Sequence, residues 1–284
     1  MYGDEPWVVK DLSQVSEAIV RVPTQERFIG QMVEAMKYFF GKGDDSFSDH
    51  FPNRKDTKNF PFKGFILEGP PGSGKTEAVI EAGRRLWREL GDPDEVQGSN
   101  RNPLEVRLFH VNSANINRSR VGEMETRLQR VFNKAQNTVD DYTRTIILFD
   151  DIETLLVKRD AKQAQEWSRS LNGVFFHELD NLVTTKTMVI ATTNISEMVD
   201  PAVRSRLAFR EAPAPTADEM KQVARTALPI RGAKGMSQDE LLEITSQSID
   251  EHLAAGEPPS FRLARQTAIE TLLDSVAGWG KGGN

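Results

Sequence analysis

The sequence contains no cysteine, and only four of its 284 residues are histidine. The absence of cysteine excludes disulfide bonds, thiolate zinc sites and a cysteine nucleophile. The four histidines are too widely separated in the chain to form a local metal-binding motif. We therefore interpret each of them as a packed or surface residue: His50, His110, His177 and His252.

Long apolar runs are missing as well. No stretch approaches the roughly 18 uninterrupted apolar residues that a membrane-spanning helix requires. The first residues, Met1 to Pro6, lack the basic and apolar regions of a signal peptide. We therefore expect a cytoplasmic protein without a membrane partner.

An excess of positive charge is the third absence. The formal net charge is −6, so no general electrostatic field attracts the protein to DNA, RNA or anionic lipid. A composition of 38% hydrophobic and 27% charged residues is typical of a globular protein with one large or two unequal domains.

The most informative segment that is present is a glycine-rich loop, Gly-Pro-Pro-Gly-Ser-Gly-Lys-Thr, from Gly69 to Thr76. Such a loop directs backbone N–H groups at phosphates, while its lysine reaches the β and γ oxygens and its threonine holds Mg²⁺. The alternative is a glycine turn that binds nothing, but an apolar run precedes the loop and a helical pattern follows it. We assign ATP binding to Gly69, Pro70, Pro71, Gly72, Ser73, Gly74, Lys75, Thr76 and Glu77.

Apolar runs alternate with helical patterns after this loop, which predicts an α/β fold with a parallel sheet covered by helices. The predicted strands are residues 65–68, 106–111, 145–150, 188–192 and a short one near 208–210. Beyond residue 215 the strand pattern ends, and residues 216–228, 237–255 and 260–276 have helical patterns. Two capping boxes are predicted, Thr216 with Glu219 and Ser237 with Glu240.

These patterns divide the chain into four parts. Residues 1–60 are an N-terminal helical extension or linker, 61–213 a large α/β domain, 214–277 a small all-helical domain, and 278–284 a flexible tail.

Two adjacent carboxylates end the strand at 145–150, about 75 residues after Lys75. Asp150 would hold Mg²⁺, directly or through water, and Asp151 would orient and partly deprotonate the water that attacks a γ-phosphate. The alternative is an ordinary acidic turn after a strand, which the preceding phosphate loop makes less favourable.

Polar residues later in the chain could complete this chemistry. Asn194 ends the next strand and could share the attacking water with Asp151, although asparagine is also a common turn former. Arg206 could stabilise charge on the γ-phosphate of a neighbouring subunit, or it could form a surface ion pair. Arg262, at the start of the last helix, could reach the nucleotide from the helical domain.

The order of these motifs resembles that of the AAA+ ATPases over roughly residues 61–271. The resemblance implies a P-loop AAA+ domain with a five-stranded parallel sheet of order 5-1-4-3-2 and a helical lid. It also implies nucleotide sites at the subunit boundaries of a ring, usually a homo-hexamer, that hydrolyses ATP with Mg²⁺. On this resemblance Arg206 acts in trans and Arg262 is the cis sensor.

Further segments are similar to the pachytene-checkpoint ATPases, which remodel HORMA-domain proteins from a closed to an open form. These segments are Val111-Asn112-Ser113, Gly122-Glu123, the run from Asp150 to Leu155, the run from Thr192 to Glu197, and Ser260-x-Arg262-x-x-Arg265. This resemblance implies a HORMA-domain protein as the substrate. Compact bacterial members act in antiphage systems, so it also implies a role in such a system.

The chain departs from the family in three respects. Asp151 stands where the family has a catalytic glutamate, so slower hydrolysis is expected. The first 60 residues are too few for the separate N-terminal substrate-binding domain of the eukaryotic members. The pore-loop position that is aromatic in many relatives is Arg120, followed by Val121.

We assign the substrate pore loop to Arg118, Arg120 and Val121. Aromatic pore residues each bury about 150 to 250 Å², whereas this loop would make the channel basic and suited to an acidic or backbone-rich segment. A solvated basic loop is the alternative.

Three functions are compatible with the sequence. The leading hypothesis is an ATP-driven ring that partly unfolds a protein partner. A nucleic-acid-associated ATPase, such as a loader or transposition regulator, would bind phosphates through Arg118 and Arg120 in a strongly salt-dependent way. A scaffold that binds ATP and hydrolyses it slowly is the third.

Overall fold

A computed structural model describes residues 5–15, 21–41, 62–92, 103–117, 122–137, 141–156 and 166–278. The chain divides into two compact units. The first consists of residues 1–15, 29–68 and 76–211, and the second of residues 16–28, 69–75 and 212–284. No helix within the described ranges is long and apolar enough to cross a membrane.

The first unit contains a six-stranded sheet. Its strands are β1 (Trp7–Lys10), β2 (Gly64–Glu68), β3 (Glu105–Asn112), β4 (Thr143–Asp150), β5 (Thr187–Thr193) and β6 (Ala208–Glu211). They lie in the order β1-β3-β4-β5-β2-β6, and every pair is parallel except β1 with β3. Strands β2 to β6 confirm the five predicted strands to within two residues at each end.

The predicted five-stranded, fully parallel sheet is wrong in its count and in the order of the whole sheet. The difference is β1, which extends the sheet beyond β3 and makes it mixed. Without β1, the parallel strands have the neighbour order β3-β4-β5-β2-β6, which is the predicted succession. Strand β1 was not predicted because it has only four residues, of which Val8 and Val9 are exposed, and because its partner lies about 100 residues later.

The helices described are α1 (Pro23–Phe39), α2 (Lys75–Gly91), α3 (Ser113–Asn117), α4 (Glu123–Asn137), α5 (Glu166–Asp180), α6 (Pro201–Arg204), α7 (Ala217–Ala227), α8 (Gln238–Ala254) and α9 (Phe261–Ala277). Two short 3₁₀ turns, Ile152–Thr154 and Ser196–Met198, follow β4 and β5. The boundary between the two units falls within α1 and at the start of α2.

An aromatic cluster fixes β4 against two helices. Phe132 of α4, Phe149 of β4 and Phe175 of α5 are fully buried, with ring centroids 5.4 to 5.8 Å apart. Burial of each such ring stabilises the fold by about 1.5–3 kcal/mol, with edge-to-face contacts adding to this. The cluster therefore holds the carboxyl end of β4, where Asp150 lies, in a defined position.

The parallel register brings polar residues to one edge of the sheet. Asn112 pairs with Asp150 across β3 and β4, and Glu68 pairs with Thr193 across β2 and β5. Ligands of open α/β sheets bind outside this carboxyl edge.

The second unit contains α7, α8 and α9, which pack around Met220, Leu241 and Ala264. Both predicted capping boxes are confirmed, at Thr216 with Glu219 and at Ser237 with Glu240. The Glu219 carboxylate also accepts hydrogen bonds at 2.8 Å from the N–H and hydroxyl of Thr24, which joins the first turn of α1 to the helices of this unit.

Candidate functional site

The glycine-rich loop has a backbone that only glycine adopts readily. Gly72 and Gly74 have φ values of 79° and 84°. A Cβ atom on Gly72 would lie 2.5 Å from the Cβ of Arg262, and the Gly72 carbonyl accepts the N–H of Phe261 at 3.0 Å. The loop is therefore anchored to the start of α9, and residue 72 has no room for a side chain.

The ammonium group of Lys75 lies against the same loop. It donates to the carbonyls of Gly69 at 2.8 Å and Pro70 at 3.0 Å, and the residue is only 6% exposed. A second contact fixes the loop, since Gln25 Nε2 donates to the Ser73 carbonyl at 3.0 Å. A buried cation surrounded by loop backbone provides a complementary charge for phosphate.

In the first unit, Asp150 receives two short hydrogen bonds. The hydroxyls of Thr76 and Thr192 each donate to Asp150 Oδ1 at 2.6 Å. His110 Nε2 lies 3.7 Å from Oδ2, which is an ion-pair distance rather than a good hydrogen bond. The predicted Mg²⁺ residues Thr76 and Asp150 are thus in direct contact.

These neighbours keep Asp150 ionised. Burial, the largest single influence, raises the pKa, but His110 and the hydrogen bonds from Thr192 and Thr76 together outweigh it and lower the pKa of Asp150 to about 2. The carboxylate is therefore negatively charged across the physiological pH range.

The structure also brings Asp151 and Asn194 together. Asn194 Nδ2 donates to Asp151 Oδ1 at 2.9 Å, and the Asp151 N–H donates to Thr192 Oγ1 at 3.1 Å. Asp151 has φ 48° and ψ 57°, a left-handed conformation that aspartate tolerates better than most residues. This backbone turn directs Asp150 and Asp151 differently although they are adjacent in sequence.

Sequence reasoning missed the functional position of Thr192. Its hydroxyl donates to Asp150 and accepts from the backbone of Asp151, so one side chain contacts both carboxylate residues. His110 was interpreted only as a packed or surface residue. The pairing of β3 with β4 sets His110 opposite Leu148, two residues before Asp150. This register places His110 near Asp150.

Arg206 lies two residues after α6, and its side chain is 26% exposed. Its Nε and Nη2 donate to the two oxygens of Asp180 at 2.8 Å each, and the guanidinium lies 4.9 Å from the ring centroid of Phe176. The hydrogen bonds from Arg206 to Asp180 are the main cause that raises the pKa of Arg206. The arginine is fully charged and held in one orientation within its own subunit.

The remaining predicted residues have different outcomes. Arg262 and Glu77 are exposed in their respective units. The pore-loop residues Arg118, Arg120 and Val121 lie outside the described residues.

The residues present fit a Mg²⁺–triphosphate group. Hydroxyl and ionised carboxylate oxygens, as in Thr76 and Asp150, are ligands that Mg²⁺ accepts together with water and phosphate oxygens. Within the described ranges, no group of three or more His, Cys, Asp or Glu side chains could hold a metal ion alone. This donor set suits an ion that takes its other ligands from a phosphate chain.

Comparison with known families agrees with this geometry. The model of the ATPase family associated with various cellular activities (AAA) matches residues 65–212, just over half of the chain. The chain belongs to the AAA ATPase family. The match begins in β2 and ends just after β6, so it includes the glycine-rich loop and both carboxylates.

Several AAA ATPases are similar in sequence to part of the chain. An "AAA ATPase forming ring-shaped complexes" from Corynebacterium efficiens is 28% identical over 147 residues, which are 51% of this chain and 26% of that protein. The proteasome-associated ATPase of Mycobacterium tuberculosis is 24% identical over 144 residues, which are 50% of this chain and 23% of that protein. The matched region thus spans about a quarter of the length of these relatives.

A solved structure shares the fold over most of the chain. A chain in the E. coli MS115-1 HORMA:CdnC:Trip13 complex aligns with a TM-score of 0.56 and 19% identity, covering 87% of this chain and 86% of that one. The likeness therefore extends beyond the segment matched by the family model.

Proposed function

We propose that this AAA ATPase hydrolyses ATP, using the loop from Gly69 to Thr76 to bind the triphosphate. The observation that carries the proposal is the cluster at the carboxyl edge of the sheet, where Thr76 contacts Asp150 and Asn194 contacts Asp151. A strand that ends in two carboxylates with different partners provides one group for metal binding and another for proton transfer.

The glycine-rich loop would bind the triphosphate through its positive charge and its backbone N–H groups. Backbone N–H groups around Gly72 and Gly74 would bind phosphate oxygens, and Lys75 would exchange its carbonyl partners for the β and γ phosphates. Thr76 and Asp150 would hold Mg²⁺, which when bound neutralises charge on the phosphates. Thr192 keeps Asp150 in place by donating to its Oδ1.

Asp151 acts as the general base in this proposal. Its carboxylate accepts a proton from the attacking water, and the Asn194 amide orients that carboxylate through the contact with Oδ1. The shorter side chain reaches less far than a glutamate, so slow turnover is expected.

The test is steady-state ATP hydrolysis with a matched pair of lysine variants. Lys75→Ala should abolish ATP binding or turnover. Lys63→Met, which removes another buried lysine that donates to a carbonyl, at Leu182, should retain ATP affinity. Equal turnover in Lys75→Ala and the unsubstituted protein would refute the loop assignment. Tight ATP binding with no turnover in the unsubstituted protein would favour the slow scaffold.

We further propose that subunits assemble into a ring, as a homo-hexamer, in which Arg206 acts on the nucleotide of a neighbour. The relative described as forming ring-shaped complexes supports the assembly. Arg262 would act as the cis sensor that couples nucleotide state to the helical lid.

The partner we propose is a HORMA-domain protein, converted from its closed to its open form. Support comes from the pachytene-checkpoint motifs in the sequence and from the fold likeness to a chain of a complex that contains a HORMA protein. We propose regulation of a bacterial antiphage signalling system as the biological context of this activity.

One test of the partner incubates the purified chain and ATP with the HORMA protein of that E. coli complex. A second test uses the Asp151→Asn variant for affinity capture and identifies the protein that remains bound to it. ATP-dependent release of a bound peptide from a HORMA protein would support remodelling. Turnover that DNA stimulates and that no HORMA protein changes would instead favour the nucleic-acid alternative.

A further inference from the structure

A third carboxylate, Glu153, lies behind the proposed catalytic pair. It belongs to the 3₁₀ turn Ile152–Thr154 and is only 9% exposed. Its Oε1 accepts the backbone N–H of Asn194 at 3.1 Å. Glu153 therefore connects the turn after β4 with the chain that leaves β5.

The second carboxylate oxygen of Glu153 makes the burial of this side chain energetically unfavourable. Among the described residues, Glu153 Oε2 is a buried polar atom without a hydrogen-bond partner. Buried polar groups are almost always paired, and each exception needs an explanation, of which a catalytic role is one. A buried carboxylate that uses one oxygen to hold a single N–H is thus an unfavourable choice for structure alone.

The hydrogen bonds form a closed loop of three residues. Glu153 follows Asp151 by two positions, Glu153 holds the backbone of Asn194, and the Asn194 side chain donates to Asp151 Oδ1. Glu153 anchors the backbone of Asn194, and Asn194 contacts Asp151 through its side chain. Displacement of the Asn194 backbone would therefore move the side-chain amide away from Asp151. A misplacement of about 1 Å can reduce a rate about 100-fold.

We infer that Glu153 is a positioning residue for ATP hydrolysis, an inference that rests on the proposed function. It holds the peptide of Asn194 so that the Asn194 amide orients Asp151. A separate hydrogen bond, from the Ser196 hydroxyl to Glu68, holds the chain two residues after Asn194. It involves neither Asp151 nor Asn194.

The experiment compares Glu153→Leu, which removes the acceptor at similar size, with Glu153→Gln, which keeps an oxygen acceptor. We expect kcat to fall about 10- to 100-fold in the leucine variant and to be largely restored in the glutamine variant. The KM for ATP and the Kd for ATPγS should change less than about twofold, because the hydrogen bond of Glu153 is to the backbone of Asn194 and not to the glycine-rich loop. Without nucleotide, the Asn194 amide should exchange its hydrogen at least about tenfold faster in the leucine variant.

Lys63→Met is the control for lost stability, since Lys63 is 2% exposed and lies at the opposite end of β2 from Glu68. Unchanged kcat in Glu153→Leu together with faster Asn194 exchange would overturn the inference alone. A similar kcat loss in Lys63→Met would also overturn it. Absence of turnover in the unsubstituted protein would refute the proposed function itself. If the leucine variant does not fold, Glu153→Asp, one methylene too short to reach Asn194, should show the same loss of kcat.

Discussion

Arg206 and Asp180 form a two-point ion pair, with both carboxylate oxygens 2.8 Å from guanidinium nitrogens. The contact joins the end of α5 to the segment that follows α6 within one subunit. A planar two-point contact restricts the guanidinium far more than a single hydrogen bond does. The arginine proposed to act on a neighbour's nucleotide is therefore oriented before any neighbour is present.

Removal of this pair should impair hydrolysis without affecting nucleotide binding. Asp180→Asn keeps the size of the side chain and loses its charge, and we expect kcat to fall about 10- to 100-fold with unchanged affinity for ATP. Asp141→Asn is the control, because the exposed Asp141 carboxylate pairs with Lys186 away from Arg206 and such pairs contribute about 0–1 kcal/mol. Equal kcat values in the two variants would show that Asp180 does not position Arg206.

Action in trans predicts complementation between two inactive variants. Arg206→Ala should bind ATP normally and lose turnover by about 1000-fold or more. Asp151→Asn should be inactive for a different reason, since it lacks the base. Mixed assemblies should regain part of the activity, because some boundaries combine an intact Arg206 with an intact Asp151. Mixtures as inactive as the separate variants would contradict the trans assignment.

Replacing Asp151 with glutamate, the longer acid expected from the family resemblance, tests whether the shorter side chain slows hydrolysis. In Asp151→Glu we expect turnover to be maintained or raised, because the carboxylate reaches further toward the water. The left-handed backbone, φ 48°, should cost about 1 kcal/mol with glutamate, which lowers the melting temperature by about 2–4 °C. Severe loss of turnover would show that the site is built around the shorter acid.

Acid should remove the stabilisation that Asp150 provides. Its pKa in the folded protein is about 2, below the ordinary 3.8, so its contribution is complete above pH 4 and is lost as the pH falls toward 2. For this partly exposed group the contribution is about 1–2 kcal/mol after allowance for solvent screening. Unfolding free energies measured with EDTA should fall less steeply over this interval in Asp150→Asn than in the unsubstituted protein. Parallel curves would contradict the lowered pKa.

A methyl group on Gly72 should disrupt the glycine-rich loop. Its φ of 79° and the 2.5 Å approach to Arg262 Cβ both oppose a side chain, and we expect Gly72→Ala to cost at least about 1–2 kcal/mol and to weaken ATP binding. Gly30→Ala is the matched control, since its added Cβ in helix α1 would meet no described atom within 4 Å apart from the neighbouring backbone of the helix itself. The control should stabilise the protein by about 0.5–1 kcal/mol. Normal ATP affinity in Gly72→Ala would show that the loop is not bound as proposed.

Local patterns were sufficient for most of the parallel sheet and for the capped helices. Strands such as β4 contain a continuous apolar run, Ile146 to Phe149, and the capping boxes at Thr216 and Ser237 are complete within four residues. Strand β1 has no such signal, because its pairing with β3 depends on residues about 100 positions away.

The sequence by itself determined the local motifs: a glycine-rich loop from Gly69 to Thr76, a strand ending at Asp150 and followed by Asp151, and a later strand ending near Asn194. These depend on short, contiguous patterns. Only the tertiary structure decided which side chains meet, namely Thr192 with both aspartates, Asp180 with Arg206, and Glu153 with the Asn194 backbone. Such contacts join residues 26 to 42 positions apart, and they form because the register of parallel strands and the packing of their helices bring distant strand ends to one edge.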